Sequence, residues 1–287
     1  MNILRRIGLL WIGAGLLFGI NDRAKAAHSE GLRISWKDRI LTIAGPEVPG
    51  GSVEVWYLEA YCRPGSTDRD WSETVIPHDS RLIEADADGR LIRLRDVLDD
   101  GVIVDHEIQA SADEVTFRVS AHNPTKTTSL AHWAQPCVRV DRFVGVPKVL
   151  NSEEYLPNCF LFLEGRPVHL PTKAWATQAR YTPGQVWCPA DVDRSDVNPR
   201  PLSPLVPSQG LIGCVSADGT RLLATAWEPY QELFQGIIVC LHSDFRIGGL
   251  DPGETKEIRG KLYLVEADFE ALVDRFERDF PEQALTP

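Results

Sequence analysis

The chain has 287 residues, of which 41 are acidic and 30 are basic, so its formal net charge is −11 at pH 7. A surface with this acidic excess repels phosphate backbones and anionic membranes, which excludes nucleic acid as the partner. The length is sufficient for one large β-domain or two small ones, with a substantial hydrophobic core.

The N-terminus has the three parts of an export signal. Arg5 and Arg6 form a basic start, residues 7–20 an apolar run, and Ala24-Lys25-Ala26 a signal-peptidase site. The apolar run of roughly 14 residues is shorter than the ~20 needed to span a bilayer. We therefore predict a signal peptide over 1–26 and a mature single domain over 27–287. We expect it to be periplasmic or secreted and not membrane-bound. The twin arginines leave the Sec and twin-arginine pathways both open.

Alternation of apolar and polar residues with a period of two dominates the mature sequence. In residues 114–119, Val115, Phe117 and Val119 share one face, and Thr116 and Arg118 share the other. Turn sequences separate the strands, which predicts an all-β antiparallel sandwich instead of βαβ units. The other predicted strands are 52–61, 91–95, 102–108, 129–140, 222–227 and 237–243.

Two segments depart from this pattern. Residues 151–209 are rich in proline and contain Trp175, Tyr181 and Trp187, so we predict an ordered loop excursion packed over one sheet. Residues 267–279 place apolar side chains at helical spacing before Pro281, which predicts a short C-terminal helix.

The six cysteines are widely spaced along the chain. No C-x-x-C pair occurs, and four of the six lie in apolar strand-like runs, where a free cysteine behaves as a small buried hydrophobe. We predict mostly free, buried thiols. The cysteines are Cys62, Cys137, Cys159, Cys188, Cys214 and Cys240.

Polar residues suited to chemistry occur in three strand-like groups. They are residues 131–137 with His132 and Trp133, residues 226–232 with Glu228, and residues 242–246 in a His-x-Asp-x-Arg pattern. Each has a structural explanation of its own. A histidine beside a tryptophan is commonly a hydrogen-bonded structural residue, and the last group is typical of a cross-strand network.

The order of these groups resembles the galactose mutarotase (aldose 1-epimerase) superfamily. The matching pieces are Asn123 followed by His132-Trp133, then a strand that ends in Glu228-Pro229, and then the turn 250–254 with the sequence Leu-Asp-Pro-Gly-Glu. The resemblance covers roughly residues 100–265. It implies a large antiparallel β-supersandwich with a sugar-binding cleft on one sheet.

The resemblance also implies roles for residues. His132 matches the acid that protonates the ring oxygen, and Glu228 matches the base that takes the anomeric hydroxyl proton, so both are candidate catalytic residues. The candidate substrate-binding residues are Trp133, Trp187 and Tyr230 for stacking, and Gln135, His242 and Arg246 for hydroxyls or a carboxylate.

The function predicted from sequence is that of an exported mutarotase-like isomerase acting on a sugar or uronate. A non-catalytic glycan-binding module, a lyase-type accessory enzyme and a structural surface protein are the alternatives. No metal or other cofactor is predicted, because no spacing motif joins the distant His132, His169, His242 and Cys188. The oligomeric state is left open.

Overall fold

The computed structural model describes residues 31–65, 69–150, 152–170, 186–197, 202–236 and 238–284. The strands are β1 Arg33–Lys37, β2 Ile40–Ala44, β3 Ser52–Cys62, β4 Val75–Ile76, β5 His78–Ala85, β6 Leu91–Leu98, β7 Ile103–Ala110, β8 Glu114–His122, β9 Trp133–Arg139, β10 Cys159–Leu163, β11 Arg166–His169, β12 Val186–Trp187, β13 Leu211–Val215, β14 Arg221–Glu228, β15 Tyr230–Gly236, β16 Cys240–Arg246 and β17 Thr255–Glu266. The helices are α1 Trp71–Thr74, α2 Asp141–Val144 and α3 Phe269–Asp279. The predicted signal peptide lies outside the described residues.

The strands form two antiparallel sheets, as the sequence pattern predicts. The eight-stranded sheet has the order β1-β2-β3-β9-β16-β15-β12, with β4 beside β3. The nine-stranded sheet has the order β11-β10-β13-β14-β17-β8-β7-β6-β5. Only Pro229 separates β14 in one sheet from β15 in the other, so the chain changes sheets at this point.

The main hydrophobic core lies between the two sheets, where their inward side chains meet. Phe117 and Trp227 of the nine-stranded sheet pack with ring centroids 5.2 Å apart, and Trp227 packs on Phe245 of the eight-stranded sheet at 4.7 Å. Tyr57 of β3 stacks on Phe117 at 5.5 Å. The alternation that places Val115, Phe117 and Val119 on one face is therefore the alternation that builds this core.

A polar network lies inside this core, formed by Tyr57, Tyr61, Asp96 and His106. The Tyr61 hydroxyl donates to Asp96 Oδ2 at 2.6 Å, and His106 Nε2 lies 3.2 Å from the same oxygen. His106 Nδ1 lies 2.8 Å from the Tyr57 hydroxyl. Burial by itself raises the pKa of Asp96, but the hydrogen bonds from His106 and Tyr61 outweigh it and lower that pKa to about 2. We call these four residues the inner network.

Helix α3 covers the opposite side of the nine-stranded sheet, in agreement with the predicted C-terminal helix. Its N-cap, Asp268, accepts a hydrogen bond from the backbone N–H of Ala271, which satisfies a helix-terminal donor. Phe269 packs edge-on against Phe160 at 4.8 Å, and Phe276 belongs to the same apolar cluster.

The segment 151–209 differs from the predicted loop excursion, because it contributes β10, β11 and β12 to the two sheets. Its residues Cys159 and Phe160 pair with β13, so backbone pairing holds this part of the segment. Trp175 and Tyr181 lie outside the described residues.

All six cysteines are free and buried, which confirms the prediction for the thiols. Among the described residues, no helix has both the length and the apolar character required to cross a membrane.

Candidate functional site

The side of the eight-stranded sheet that faces away from the core carries a concentration of polar side chains. On β16, Leu241 and Phe245 point into the core, so the alternating His242, Asp244 and Arg246 point the other way. The neighbouring strand β9 adds Trp133, Gln135 and Cys137 to the same side, since Cys137 pairs with His242 and Trp133 with Arg246. We call this side the outer face.

Four carboxylates converge on the outer face around Cys62. Burial raises the pKa of the Cys62 thiol, and the negative charges of Asp244, Glu232, Glu59 and Asp196 raise it further. Burying this many ionisable groups costs free energy of folding. Such a concentration outside the hydrophobic core is typical of a functional site.

His132 lies at one end of the outer face with Asp196 as its partner. His132 Nδ1 lies 3.3 Å from Asp196 Oδ2, and Arg246 approaches the same oxygen at 3.5 Å. The other oxygen, Asp196 Oδ1, accepts the backbone N–H of Gly65 at 2.7 Å. Arg246 also donates to the side chain of Gln231, whose amide in turn donates to the Asp196 backbone carbonyl. Asp196 is thus the centre of a network that orients His132.

A pocket of about 270 Å³ lies beside His132. The His132 side chain is 21% exposed, and its Nε2 lies next to Gly249, which lines the same pocket. Glu254 and Lys256 also line it, so an imidazole, a carboxylate and an ammonium group meet around one space. The volume is close to the lower end of the range for small-molecule sites, about 300 Å³.

A second group on the outer face surrounds His242. Its Nδ1 lies 3.2 Å from Asp244 Oδ1, and its Nε2 lies 3.6 Å from Cys240 Sγ and 3.9 Å from Glu59 Oε2. Cys137 Sγ belongs to the same group, with all three Cys and His ligand atoms within 4.8 Å of one another.

Burial raises the pKa of both carboxylic acids in this second group. For Glu59, the positive charge of His242 opposes the effect of burial. For Asp244, hydrogen bonds from His242 and Gln135 oppose it. For these two carboxylic acids, loss of solvation on burial therefore outweighs the contacts that favour the charged form.

The structure does not bring Glu228 to His132. Because Trp227 points into the core, Glu228 points to the opposite side of the nine-stranded sheet, where Gln283 donates to its carboxylate. It lines a separate groove of about 530 Å³ with Arg118 and Arg259. Burial raises the pKa of Glu228, while the Gln283 hydrogen bond lowers it. The two side chains therefore face different parts of the surface.

Two of the predicted stacking residues point into the core instead of towards a ligand. Trp187 pairs with Leu233 and is fully buried in the main core. Tyr230 is 8% exposed, and its ring packs so closely against Gly210 that a Cβ at position 210 would collide with it. A register shift between Tyr230 and Glu232 in the pairing of β15 with β16 leaves both rings in the main core, so neither is available to stack on a sugar.

The remaining predicted binding residues do lie on the outer face. Trp133, Gln135 and His242 are buried there, and Arg246 is partly exposed. The indole N–H of Trp133 has no hydrogen-bond partner among the described residues, although the ring itself packs with Ala60 and Cys62.

The sequence does not predict Asp196 or Glu59 as site residues, nor the proximity of the Cys137 and Cys240 thiols. Asp196 lies in the segment 188–197, far along the chain from His132, and no spacing motif connects the two. Glu59 reaches the outer face because the pairing of β3 with β9 shifts register between Trp56 and Ala60. The alternation of His242, Asp244 and Arg246 on one side was the only available signal.

No family model and no curated protein matches the sequence. Solved structures do match the fold. A galactose mutarotase-like protein from Lactobacillus casei ATCC 334 is 8% identical with a TM-score of 0.42, over 82% of this chain and all (100%) of that one. The chain resembles mutarotase-like structures in fold.

Two further structures have comparable scores. A galactose mutarotase related enzyme from Lactobacillus acidophilus is 7% identical with a TM-score of 0.42, over 83% of this chain and 98% of that one. An alpha-N-acetylgalactosaminidase from Bifidobacterium bifidum is 11% identical with a TM-score of 0.45, over 88% of this chain but only 38% of the longer chain. Similarity at this level assigns neither an activity nor a site residue to this protein.

Proposed function

We propose that the protein acts on a sugar or uronate by acid–base chemistry at His132, in the pocket at the edge of the outer face. The observation that carries the proposal is the arrangement of His132, whose Nδ1 is held by the buried Asp196 while its Nε2 side borders the pocket. A histidine oriented in this way, with one ring nitrogen held and the other facing a pocket, has the geometry of a general acid or base.

Opening of a cyclic hemiacetal requires a proton delivered to the ring oxygen and another removed from the anomeric hydroxyl. His132 is suited to the first transfer. Two carboxylates, Asp251 and Glu254, line the same pocket. We assign the second transfer to Glu254, whose Oε1 lies 3.7 Å from Lys256 Nζ, in place of Glu228. Lys256, which also lines the pocket, donates to the backbone carbonyls of Ile247 and Gly249. Its ammonium group there favours a uronate carboxylate or a developing alkoxide.

Asp196 and Arg246 have positioning roles in this proposal. Asp196 stabilises one orientation of the imidazole. Arg246 and Gln231 hold Asp196 in place through hydrogen bonds to its side chain and its backbone carbonyl, respectively. Asp196→Asn is therefore expected to lower kcat with little change in KM, a division between the two constants that a general loss of structure would not produce.

The experiment measures exchange between the anomers of hexoses and uronic acids by two-dimensional NMR exchange spectroscopy. His132→Asn and Glu254→Gln are each expected to lower the exchange rate on the order of 10²-fold or more. Arg95→Gln is the control, because Arg95 forms an ion pair with Asp105 on the surface of the other sheet.

Glu228→Gln separates the proposal from the pairing that the sequence predicted. Unchanged exchange in this variant supports the His132–Glu254 pocket, and a loss comparable to that of His132→Asn would contradict it. A glycan-binding module without catalysis is the alternative, favoured by the unpartnered Trp133 N–H on the outer face. Ligand-observed saturation transfer that persists without any exchange in the wild type would establish binding and overturn the catalytic proposal.

A further inference from the structure

We propose that Cys137, Cys240, His242 and Glu59 form a binding site for one zinc ion on the outer face. The four residues come from three adjacent strands, with Glu59 on β3, Cys137 on β9 and the other two on β16. A metal ion bound here would join these strands through their side chains in addition to their backbone pairing.

The spacing of the ligand atoms fits tetrahedral zinc. With Zn–S near 2.3 Å and Zn–N near 2.0–2.1 Å, a sulfur and a nitrogen on the same ion lie about 3.5 Å apart. His242 Nε2 lies 3.6 Å from Cys240 Sγ, and the two sulfurs and this nitrogen all lie within 4.8 Å of one another. Glu59 Oε2, 3.9 Å from Nε2, completes a set of four protein ligands.

The imidazole of His242 is oriented for metal binding. With the ring proton on Nδ1, where Asp244 accepts it, the lone pair of Nε2 is available to a metal beside Cys240 Sγ. A carboxylate on the far nitrogen is the usual outer partner of a metal-binding histidine. Phe234 stacks on the ring with centroids 4.2 Å apart and an interplanar angle of 8°, which restricts its rotation.

Gly236 leaves room for this group of ligands. It pairs with Cys240 on the neighbouring strand, and a Cβ at this position would collide with Cys240 Sγ and lie 3.4 Å from His242 Nε2. Because glycine has no Cβ, Gly236 leaves space for the two thiols and the imidazole to lie beside one another.

The charges and chemistry of the ligands favour zinc over harder cations. When a divalent ion binds, the two thiols release their two protons, and the resulting thiolates neutralise the charge of the ion. Sulfur ligands select soft or borderline metals instead of magnesium or calcium. A closed set of four protein ligands is typical of a structural site. Glu59 is 26% exposed, which places the entry route on its side of the group.

The test uses full-length reduced protein, stripped of metal by a chelator, and zinc or cobalt(II) as the probe. The wild type is expected to retain one zinc per chain after gel filtration, and its cobalt(II) form to show thiolate-to-cobalt charge-transfer absorption. Cys137→Ser, Cys240→Ser and His242→Gln are each expected to lower zinc affinity at least 100-fold. Gly236→Ala is expected to do the same while it keeps all four ligands.

Cys214→Ala is the matched control. Cys214 is equally buried and pairs with Cys159 on the adjacent strand of the other sheet. Any loss of stability caused by removal of a buried thiol therefore occurs in this variant too. Its zinc content is expected to equal that of the wild type. Reduced wild type without stoichiometric zinc, or equal zinc loss in Cys214→Ala and Cys240→Ser, would overturn the proposal. So would a Cys137–Cys240 disulfide found by mass spectrometry in freshly isolated protein. None of these measurements depends on a sugar ligand.

Discussion

His106 and His242 each have a carboxylate partner, but they lie in different parts of the molecule. In the inner network, both ring nitrogens of His106 contact groups of the protein, namely the hydroxyls of Tyr57 and Tyr61 and the carboxylate of Asp96. On the outer face, His242 contacts Asp244 through Nδ1 and presents Nε2 to sulfur and carboxylate ligands.

The difference shows that a His–Asp pair does not by itself indicate function. Between the sheets, the pair completes hydrogen bonds of tyrosines whose rings belong to the core, so its contribution is to stability. On the outer face, the surrounding groups are those that bind a metal or a polar ligand. The location of the pair relative to the core distinguishes the two cases.

The largest expected effect is loss of stability when the inner network is broken. His106→Leu removes the partner of the Tyr57 hydroxyl and one hydrogen-bond partner of the buried Asp96 carboxylate. Disruption of a buried pair in this way costs about 3–5 kcal/mol of unfolding free energy, measured by urea denaturation. Asp105→Asn on the exposed surface is the control and is expected to leave the midpoint unchanged. A comparable loss of unfolding free energy in both variants would contradict a special contribution of the inner network to stability.

The next effect concerns the outer face and zinc. At a free zinc concentration of 100 times the dissociation constant, the unfolding free energy of the wild type is expected to rise by about 2.7 kcal/mol, because only the folded state binds the ion. Cys240→Ser is expected to lose this increment, whereas a variant of the inner network such as Tyr57→Phe is expected to keep it. Denaturation curves with and without zinc provide the measurement, and an increment that persists in Cys240→Ser would show that the ion binds elsewhere.

The third effect is a dependence of stability on pH. The pKa of Asp96 is lowered to about 2 in the folded state from its ordinary value of 3.8. A carboxylate with a lowered folded-state pKa stabilises the protein above its unfolded pKa and loses that contribution as the pH falls towards the folded value. At 1.36 kcal/mol per pKa unit, the contribution is about 2 kcal/mol at neutral pH and is lost between about pH 4 and pH 2.

Asp96→Asn tests this dependence. The stability difference between wild type and variant is expected to be constant above about pH 5 and to shrink below about pH 4. Denaturant unfolding across this range measures it. A difference that does not change with pH would mean that the carboxylate charge does not contribute to the inner network.

The smallest effect is expected at Glu228, which belongs to neither region. Its half-buried carboxylate accepts a hydrogen bond from Gln283, and Glu228→Gln preserves the size of the side chain. We expect a change in unfolding free energy of less than about 1 kcal/mol. Thermal and urea denaturation of Glu228→Gln and His106→Leu in parallel compares the smallest and the largest expected loss of stability. A loss in Glu228→Gln as large as that in His106→Leu would contradict this prediction.

Several features of the fold were predictable because they depend on local patterns. Alternation placed the strands, as in residues 114–119 of β8, and the helical spacing of Phe269, Leu272 and Phe276 placed α3. The strands of the segment 151–209 were not predictable, since β11 and β12 are short and lie among prolines, and their pairing with β10 and β15 is decided by tertiary contact.

The candidate site was predictable only in part. The residues of β16 that share one side, His242, Asp244 and Arg246, were identified from their alternation, and they do lie together. Glu228 was assigned by resemblance alone, and the parity of β14 relative to Trp227 directs it away from His132. Trp187 and Tyr230 are predicted to stack on a sugar because they are aromatic, but in the structure both rings pack in the hydrophobic core.

The sequence by itself determined the two-sheet class of the fold and the free state of the thiols, because period-two alternation and apolar neighbours are local properties. Only the tertiary structure decided which polar residues meet. Asp196 contacts His132, and Glu59 contacts His242 beside the neighbouring thiols of Cys137 and Cys240. Each contact joins segments that are far apart in the chain. Such contacts depend on strand order and register, which the spacing of residues along the chain does not encode.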